Sequence, residues 1–187
     1  MSFVPTLTTG RLVLRAFVPG DAAAVQAALQ DREVSSTTAM IPHPYPPGAA
    51  EAWIATHAPR HAAGEAVILA VTLREGGVLA GCIELRVEMQ HRRGELGYWI
   101  GRAHWGQGYA TEAAGALLRW GMGALGLHRV HATHLSRNPA SGAVLRKIGM
   151  RHEGTLRGHL PKEGVLEDLE VWAALDDDGA EGDSAAG

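Results

Sequence analysis

The segment Trp99-Ile100-Gly101-Arg102-Ala103-His104-Trp105-Gly106-Gln107-Gly108-Tyr109-Ala110-Thr111-Glu112 constrains the fold more than any other stretch of the chain. A strand runs into a short loop, and two glycines spaced Gly-x-Gly then open a helix. Glycine adopts backbone angles closed to other residues and lets a bulky ligand approach the main chain. The first turn of the helix presents unpaired N–H groups and the positive end of its dipole. Such a turn suits a phosphate or pyrophosphate.

The residues after Gly108 disfavour two common anion loops. A P-loop needs Gly-Lys-Ser or Gly-Lys-Thr after its glycines, whereas Gly108 is followed by Tyr109-Ala110-Thr111. A dinucleotide fold needs a third glycine near position 111 and a later acidic residue for the ribose. Thr111 occupies the first of these positions, and no Asp or Glu occurs from Ala113 to His152. That stretch carries Arg119, Arg129, Arg137, Arg146, Lys147 and Arg151 instead, which fits a multiply phosphorylated ligand.

The remaining pattern places the loop inside a mixed α/β domain. Strands are expected at 11–17, 66–74, 78–87, 95–101, 127–135, 150–157 and 167–174. Helices are expected from Asp21, as cap, to Gln30, over 49–62, after Gly108, and from Asn138-Pro139 to Gly149. The helix after Gly108 carries Ala110, Ala113, Ala114, Leu117, Leu118 and Gly121 at the spacing of one buried face. Pro42, Pro44, Pro46 and Pro47 require irregular backbone across Ser35–Gly48. The expected domain covers residues 1–175, followed by an acidic, Gly- and Ala-rich tail, 176–187, expected to be disordered. Its length of 187 residues suits one core, and a net charge of −3 gives no basic footprint for nucleic acid. The single cysteine, Cys82, falls in an apolar strand and excludes an intramolecular disulfide. With no charged leader and no apolar run of membrane-spanning length, a soluble cytoplasmic protein is expected, without membrane contact.

Four motifs together carry a family resemblance. Gly94-Glu95-Leu96-Gly97-Tyr98-Trp99-Ile100-Gly101, Trp105-Gly106-Gln107-Gly108-Tyr109-Ala110-Thr111-Glu112-Ala113, Asn138-Pro139-Ala140-Ser141 and Lys147-Ile148-Gly149-Met150 resemble the GNAT acetyltransferases. More narrowly they resemble the RimJ/RimL branch, which acetylates the N-terminal amines of ribosomal proteins. The resemblance spans residues 8–175 and implies a splayed, mostly antiparallel central sheet flanked by about four helices. It further implies acetyl-CoA as cosubstrate, a primary-amine acceptor of the ribosomal-protein N-terminal type, and a homodimer.

Carried onto this chain, the resemblance assigns the pyrophosphate to main-chain groups of Gly106, Gln107, Gly108, Tyr109, Ala110 and Thr111. It assigns the pantetheine arm to main-chain groups of Tyr98, Trp99 and Ile100 and to Asn138, and the thioester sulfur to Ser141. Arg146 and Lys147 are candidates for the adenosine phosphates. The family pattern prefers Gln or Arg where this chain has Ala103, and Arg102 is the neighbouring source of charge.

Acyl transfer to an amine needs a neutral nucleophile, an acceptor for the developing oxyanion and a proton for the departing thiolate. An α-amine titrates near about 7.7–8.0, so a base has modest work to do. Glu95 is the expected base, with Glu84 on the neighbouring strand in reserve, and Ser141 the expected proton relay. His134 is a further candidate base because imidazole titrates near neutrality. No metal is expected: His128, His131 and His134, three apart on a strand, cannot share one face. A small-molecule amine acceptor and a catalytically silent acyl-CoA sensor are the competing readings.

Overall fold

In the computed structural model, which describes residues 4–178, eight strands form one sheet. They are β1 (Leu7–Thr8), β2 (Leu12–Ala16), β3 (Ala66–Leu73), β4 (Leu79–Glu88), β5 (Arg93–Ile100), β6 (Arg129–Leu135), β7 (Arg151–Lys162) and β8 (Val165–Leu175). Their spatial order is β1-β2-β3-β4-β5-β6-β8-β7. Every neighbouring pair is antiparallel except β5 and β6, which run parallel. That parallel ladder is short: it pairs Arg93 with Arg129, Gly94 with Val130 and Glu95 with His131, and goes no further. The two strands then separate, leaving a wedge-shaped gap between Leu96–Ile100 and Ala132–Leu135.

Helices α1 (Ala22–Leu29), α2 (Arg32–Ser36), α3 (Ala49–Ala55) and α4 (His57–Ala62) precede β3, while α5 (Tyr109–Leu125) and α6 (Pro139–Lys147) flank β6 in sequence. The central strand β3 is buried from Ala66 to Thr72 because helices cover both faces of the sheet there. Its Val67, Leu69 and Val71 join Leu85, Leu117 and Leu118 in a core beneath α5. Its Ala66 and Ile68 join Val25, Leu29, Cys82 and Trp99 in a second core beneath α1 and α3.

The structure departs from the sequence expectations in identifiable places. Among the described residues six α-helices stand where about four helices were expected, because the 49–62 segment breaks at Thr56 and Arg32–Ser36 forms a turn of helix that runs only into the start of the Ser35–Gly48 stretch read as irregular. Asp31 caps that turn by accepting from the Glu33 N–H. Asp21 does not cap α1 through its side chain. Its carboxylate accepts instead from Arg15 at 2.8 and 2.9 Å and from the Val18 N–H at 2.9 Å. The last two strands form a hairpin running to Lys162 and Val165, longer than expected. Of the 176–187 tail, Asp176–Asp178 form a turn whose Asp178 carboxylate accepts from the Leu175 N–H, and the remainder lies outside the described residues.

Candidate active site

Gly106 and Gly108 both take positive φ, 73° and 78°, and Gly108 is the residue from which α5 starts. A side chain at either position is strained in this conformation, so the loop keeps its main chain bare. The loop is held from outside by Arg11, a residue that sequence reading passed over. Its Nη1 donates to the Gln107 carbonyl at 2.8 Å, its Nε donates to Glu112 Oε2 at 2.7 Å, and its guanidinium lies 4.8 Å from the Tyr109 ring centre. Burial works to raise the Glu112 carboxyl, but hydrogen bonds from Thr9 and Arg11 outweigh it and hold the group below its ordinary value. A permanent carboxylate in the first turn of α5 thus ties that turn to the start of β2. Arg102 does not fill the role left open by Ala103: its guanidinium stacks over Trp105 at 5.2 Å and pairs with Glu33.

The gap between β5 and β6 exposes a particular subset of main-chain groups. The Arg92 carbonyl accepts from the N–H groups of His128 and Arg129 on the β6 side, whereas the Gly101 N–H donates to Ala80 on the β4 side. Because strand residues alternate between the two edges, even-numbered residues of β5 address β6 and odd-numbered ones address β4. Tyr98 and Ile100 therefore turn their main chain into the gap. Trp99, between them, turns its main chain the other way, toward Cys82 of β4, which departs from the expectation for its main chain. The Ile100 carbonyl already accepts from Trp105 Nε1 at 2.6 Å, leaving its N–H on the open edge.

At the mouth of the gap stands the first turn of α6. Asn138 caps it through Oδ1, accepting from the Ser141 N–H at 3.3 Å, while Nδ2 donates to the Thr37 carbonyl at 3.2 Å. Ser141 Oγ lies 2.7 Å from the Tyr98 hydroxyl, which also donates to the Ser141 carbonyl at 3.2 Å. Burial pushes the Tyr98 phenol up to about 12, against the lowering effect of the Ser141 bond, so both hydroxyls are neutral near pH 7. The Tyr98 side chain is a site component that sequence reading missed, since only its main chain was implicated.

One cavity of about 860 Å³ joins these parts, and Gly106, Gly108, Thr111, Tyr98, Ser141 and Glu84 all line it. Glu84 Oε1 accepts from Arg60 at 2.8 Å, and no hydrogen bond among the described residues reaches Oε2. Glu95 does not line this cavity. It sits opposite Arg86 in the β4–β5 ladder, with Oε1 3.4 Å from that guanidinium, whereas Glu84, the candidate held in reserve, borders the cavity. His134 is also withdrawn as a base. Its Nδ1 lies 2.9 Å from the Leu135 carbonyl and so carries the hydrogen, while Nε2 accepts from Trp172 Nε1 at 3.1 Å. Both nitrogens are committed, and His134 packs against Gly142 of α6.

The comparisons agree with this architecture. The family model for the acetyltransferase (GNAT) domain matches residues 11–151. The chain is 32% identical to the uncharacterized N-acetyltransferase YoaA of Bacillus subtilis, over 91% of its own length and 97% of that protein. It superposes on an acetyltransferase of the GNAT family from Bacillus anthracis with a TM-score of 0.82 at 25% identity, covering 92% of this chain and 99% of that one. It shares the fold, at 18% identity and a TM-score of 0.84, of RimL, a ribosomal L7/L12 α-N-protein acetyltransferase solved with coenzyme A; the match covers 91% of this chain and 98% of that one. A glycine-opened helix beside a splayed β5–β6 pair, and a family match over most of the chain, place this protein among the GNAT acetyltransferases as an acetyl-CoA-dependent N-acetyltransferase.

Proposed function

We propose that this N-acetyltransferase acts on the α-amine of a protein N-terminus, of the ribosomal-protein type, by direct attack within a ternary complex. The observation that carries the reading is the single cavity that runs from the glycine loop past Ser141 to an acceptor half walled by Tyr45, Trp53 and Glu84. The residues present fit the cosubstrate. The bare loop at Gly106–Gly108 and the free N–H groups of Tyr109, Ala110 and Thr111 suit a pyrophosphate, with Gln107 contributing its main chain. Tyr98 and Ile100 offer an open strand edge to an extended amide chain such as pantetheine, and Asn138 stands at its end. Bound there, acetyl-CoA supplies an acetyl group activated as a thioester.

Each step then falls to a residue of the chain. Main-chain N–H groups on the open edge of β5 face negative charge gathering on the carbonyl oxygen and stabilise it without reorganising. Glu84 takes a proton from the incoming ammonium through its unbonded Oε2 or an intervening water. Ser141 relays to the departing sulfur the second proton, which the attacking nitrogen gives up as the tetrahedral intermediate collapses, and Tyr98 orients that hydroxyl by sharing a hydrogen bond with it. In the Tyr98→Phe variant, kcat is expected to fall about tenfold, the loss of one oriented hydrogen bond, while KM for acetyl-CoA stays unchanged. An unchanged kcat in steady-state kinetics would remove Tyr98 from the relay.

A second reading, a small-molecule amine as acceptor, draws on the roof of the acceptor half. The Thr37–Tyr45 segment is tied down by Asn138 at the Thr37 carbonyl, Lys162 at the Ile41 carbonyl, and Gln26 and Gln30 at the Tyr45 carbonyl. The deciding experiment follows thiol release from acetyl-CoA with three acceptor sets. These are peptides with a free N-terminus, the same peptides N-terminally blocked but bearing lysine, and amino acids or polyamines. Release confined to free N-termini is expected. Turnover confined to the small amines would replace the protein acceptor with a metabolite.

A further inference from the structure

Among lysines and arginines, Lys147 and Arg86 line the catalytic cavity. Lys147 ends α6 and borders a neighbouring recess together with Thr111, at the glycine-loop end. Arg86 stands in the acceptor half, two residues along β4 from Glu84 and on the same face of the strand. The acetyl transfer derived above gives Arg86 no task.

Its guanidinium has donors to spare. Nε is 3.9 Å from Glu84 Oε1, beyond hydrogen-bond reach, and that oxygen already accepts from Arg60 at 2.8 Å. Nη2 donates to Glu95 Oε1 at 3.4 Å, a long bond, and Nη1 has no partner among the described residues. Glu95 stays out of the cavity, whereas Arg86 leans into it over Gly97. A Cβ on Gly97 would stand 3.9 Å from Nη2, so the guanidinium lies above main chain that carries no side chain. A planar guanidinium held this way matches a carboxylate in shape and charge. Glu84 and Arg86 approach within 3.9 Å, so the two groups they would bind must also lie close together on one molecule.

Resting on the acceptor reading above, we infer that Arg86 selects acceptors bearing a carboxylate a few bonds from the reacting amine, as an N-terminus that begins with Asp or Glu does. The ammonium approaches Glu84 Oε2, and the carboxylate meets the Nη1 side of Arg86. A free amino acid offers the same pair of charges through its α-carboxylate, and the test separates the two sources.

The test measures kcat and KM for two peptides with free N-termini, identical except for Asp or Asn at the first position, and for alanine and alaninamide. The parent is expected to favour the Asp peptide about tenfold in kcat/KM, the low end for a charge-assisted hydrogen bond because Arg86 is half-exposed, with the difference carried by the acceptor KM. In Arg86→Gln the two peptides are expected to react alike. Arg86→Lys should keep part of the preference, and Arg86→Glu should turn it toward Asn. Equal reaction of the two peptides in the parent, or a loss in Arg86→Gln shared equally by both, overturns the role of Arg86 and leaves the N-terminal acceptor standing. Turnover of alanine over alaninamide that is lost in Arg86→Gln, with neither peptide acetylated, keeps the carboxylate site and overturns the protein acceptor.

Discussion

In the Gly108→Glu variant, calorimetry is expected to register no CoA binding at concentrations that saturate the parent protein. Three effects act in the same direction. Position 108 has φ 78°, where a non-glycine residue costs about 1–2 kcal/mol and deforms the start of α5. A Cβ there stands 3.5 Å from Arg11 Nη2, so the new carboxylate competes with Glu112 for the guanidinium that braces the loop. Its charge also enters the space in which the helix N-terminus would otherwise stabilise an anion. The expected loss exceeds a hundredfold, about 2.7 kcal/mol or more. Gly108→Ala carries the conformational penalty without the charge and is expected to retain measurable affinity. Normal CoA affinity in the glutamate variant, with an unaltered melting temperature, would refute the loop as the pyrophosphate site.

Glu84→Gln carries the second large effect. Its kcat/KM at pH 7 is expected to fall about a hundredfold, the lower end of what a general base contributes. The deficit should shrink as pH rises through about 8, because the acceptor α-amine then loses its proton unaided. A structural role for Glu84, acting through Arg60, predicts a deficit that is flat with pH. Glu95→Gln is the paired control: its carboxylate does not line the cavity and pairs with Arg86, which does, and its rate is expected to remain within about twofold of the parent, as for a loosely paired, partly exposed charge. A large, pH-sensitive loss at Glu95 with none at Glu84 would return the base to the residue first expected from sequence.

Why Glu95 stood out in sequence, and Glu84 in the structure, shows where sequence reading ends. Period-two alternation and glycine punctuation found the strands from β3 to β6, the start of α5 and the Asn138 cap, because those signals are local. The same alternation says which residues share a face but not how far along a ladder the cavity extends. Glu84 and Glu95 lie on one face, and it is the pairing of Glu84 with Gly97, bare of side chain, that sets Glu84 in the cavity wall. Arg11 was illegible for a related reason: it meets Glu112 across 101 residues of sequence, and nothing in its own neighbourhood signals that contact. The Tyr98–Ser141 bond likewise joins a strand to a helix 43 residues later. The Thr56 break and the Arg32–Ser36 turn escaped notice because both are too short to show a helical period.

The parallel ladder that ends at Glu95 also bears on how the molecule holds together. Past that residue the sheet is two panels, β1–β5 and β6–β8, joined along a short seam, by the core they share beneath α5, and by the Tyr98 hydroxyl on Ser141 of α6. A ligand lying in the seam adds main-chain bonds that the folded chain lacks and that the unfolded chain cannot make. By mass action it stabilises the native state by about 2.7 kcal/mol at a hundred times its Kd. For a chain built this way the cosubstrate is expected to act as a folding ligand, and a melting temperature that rises with its concentration would register that.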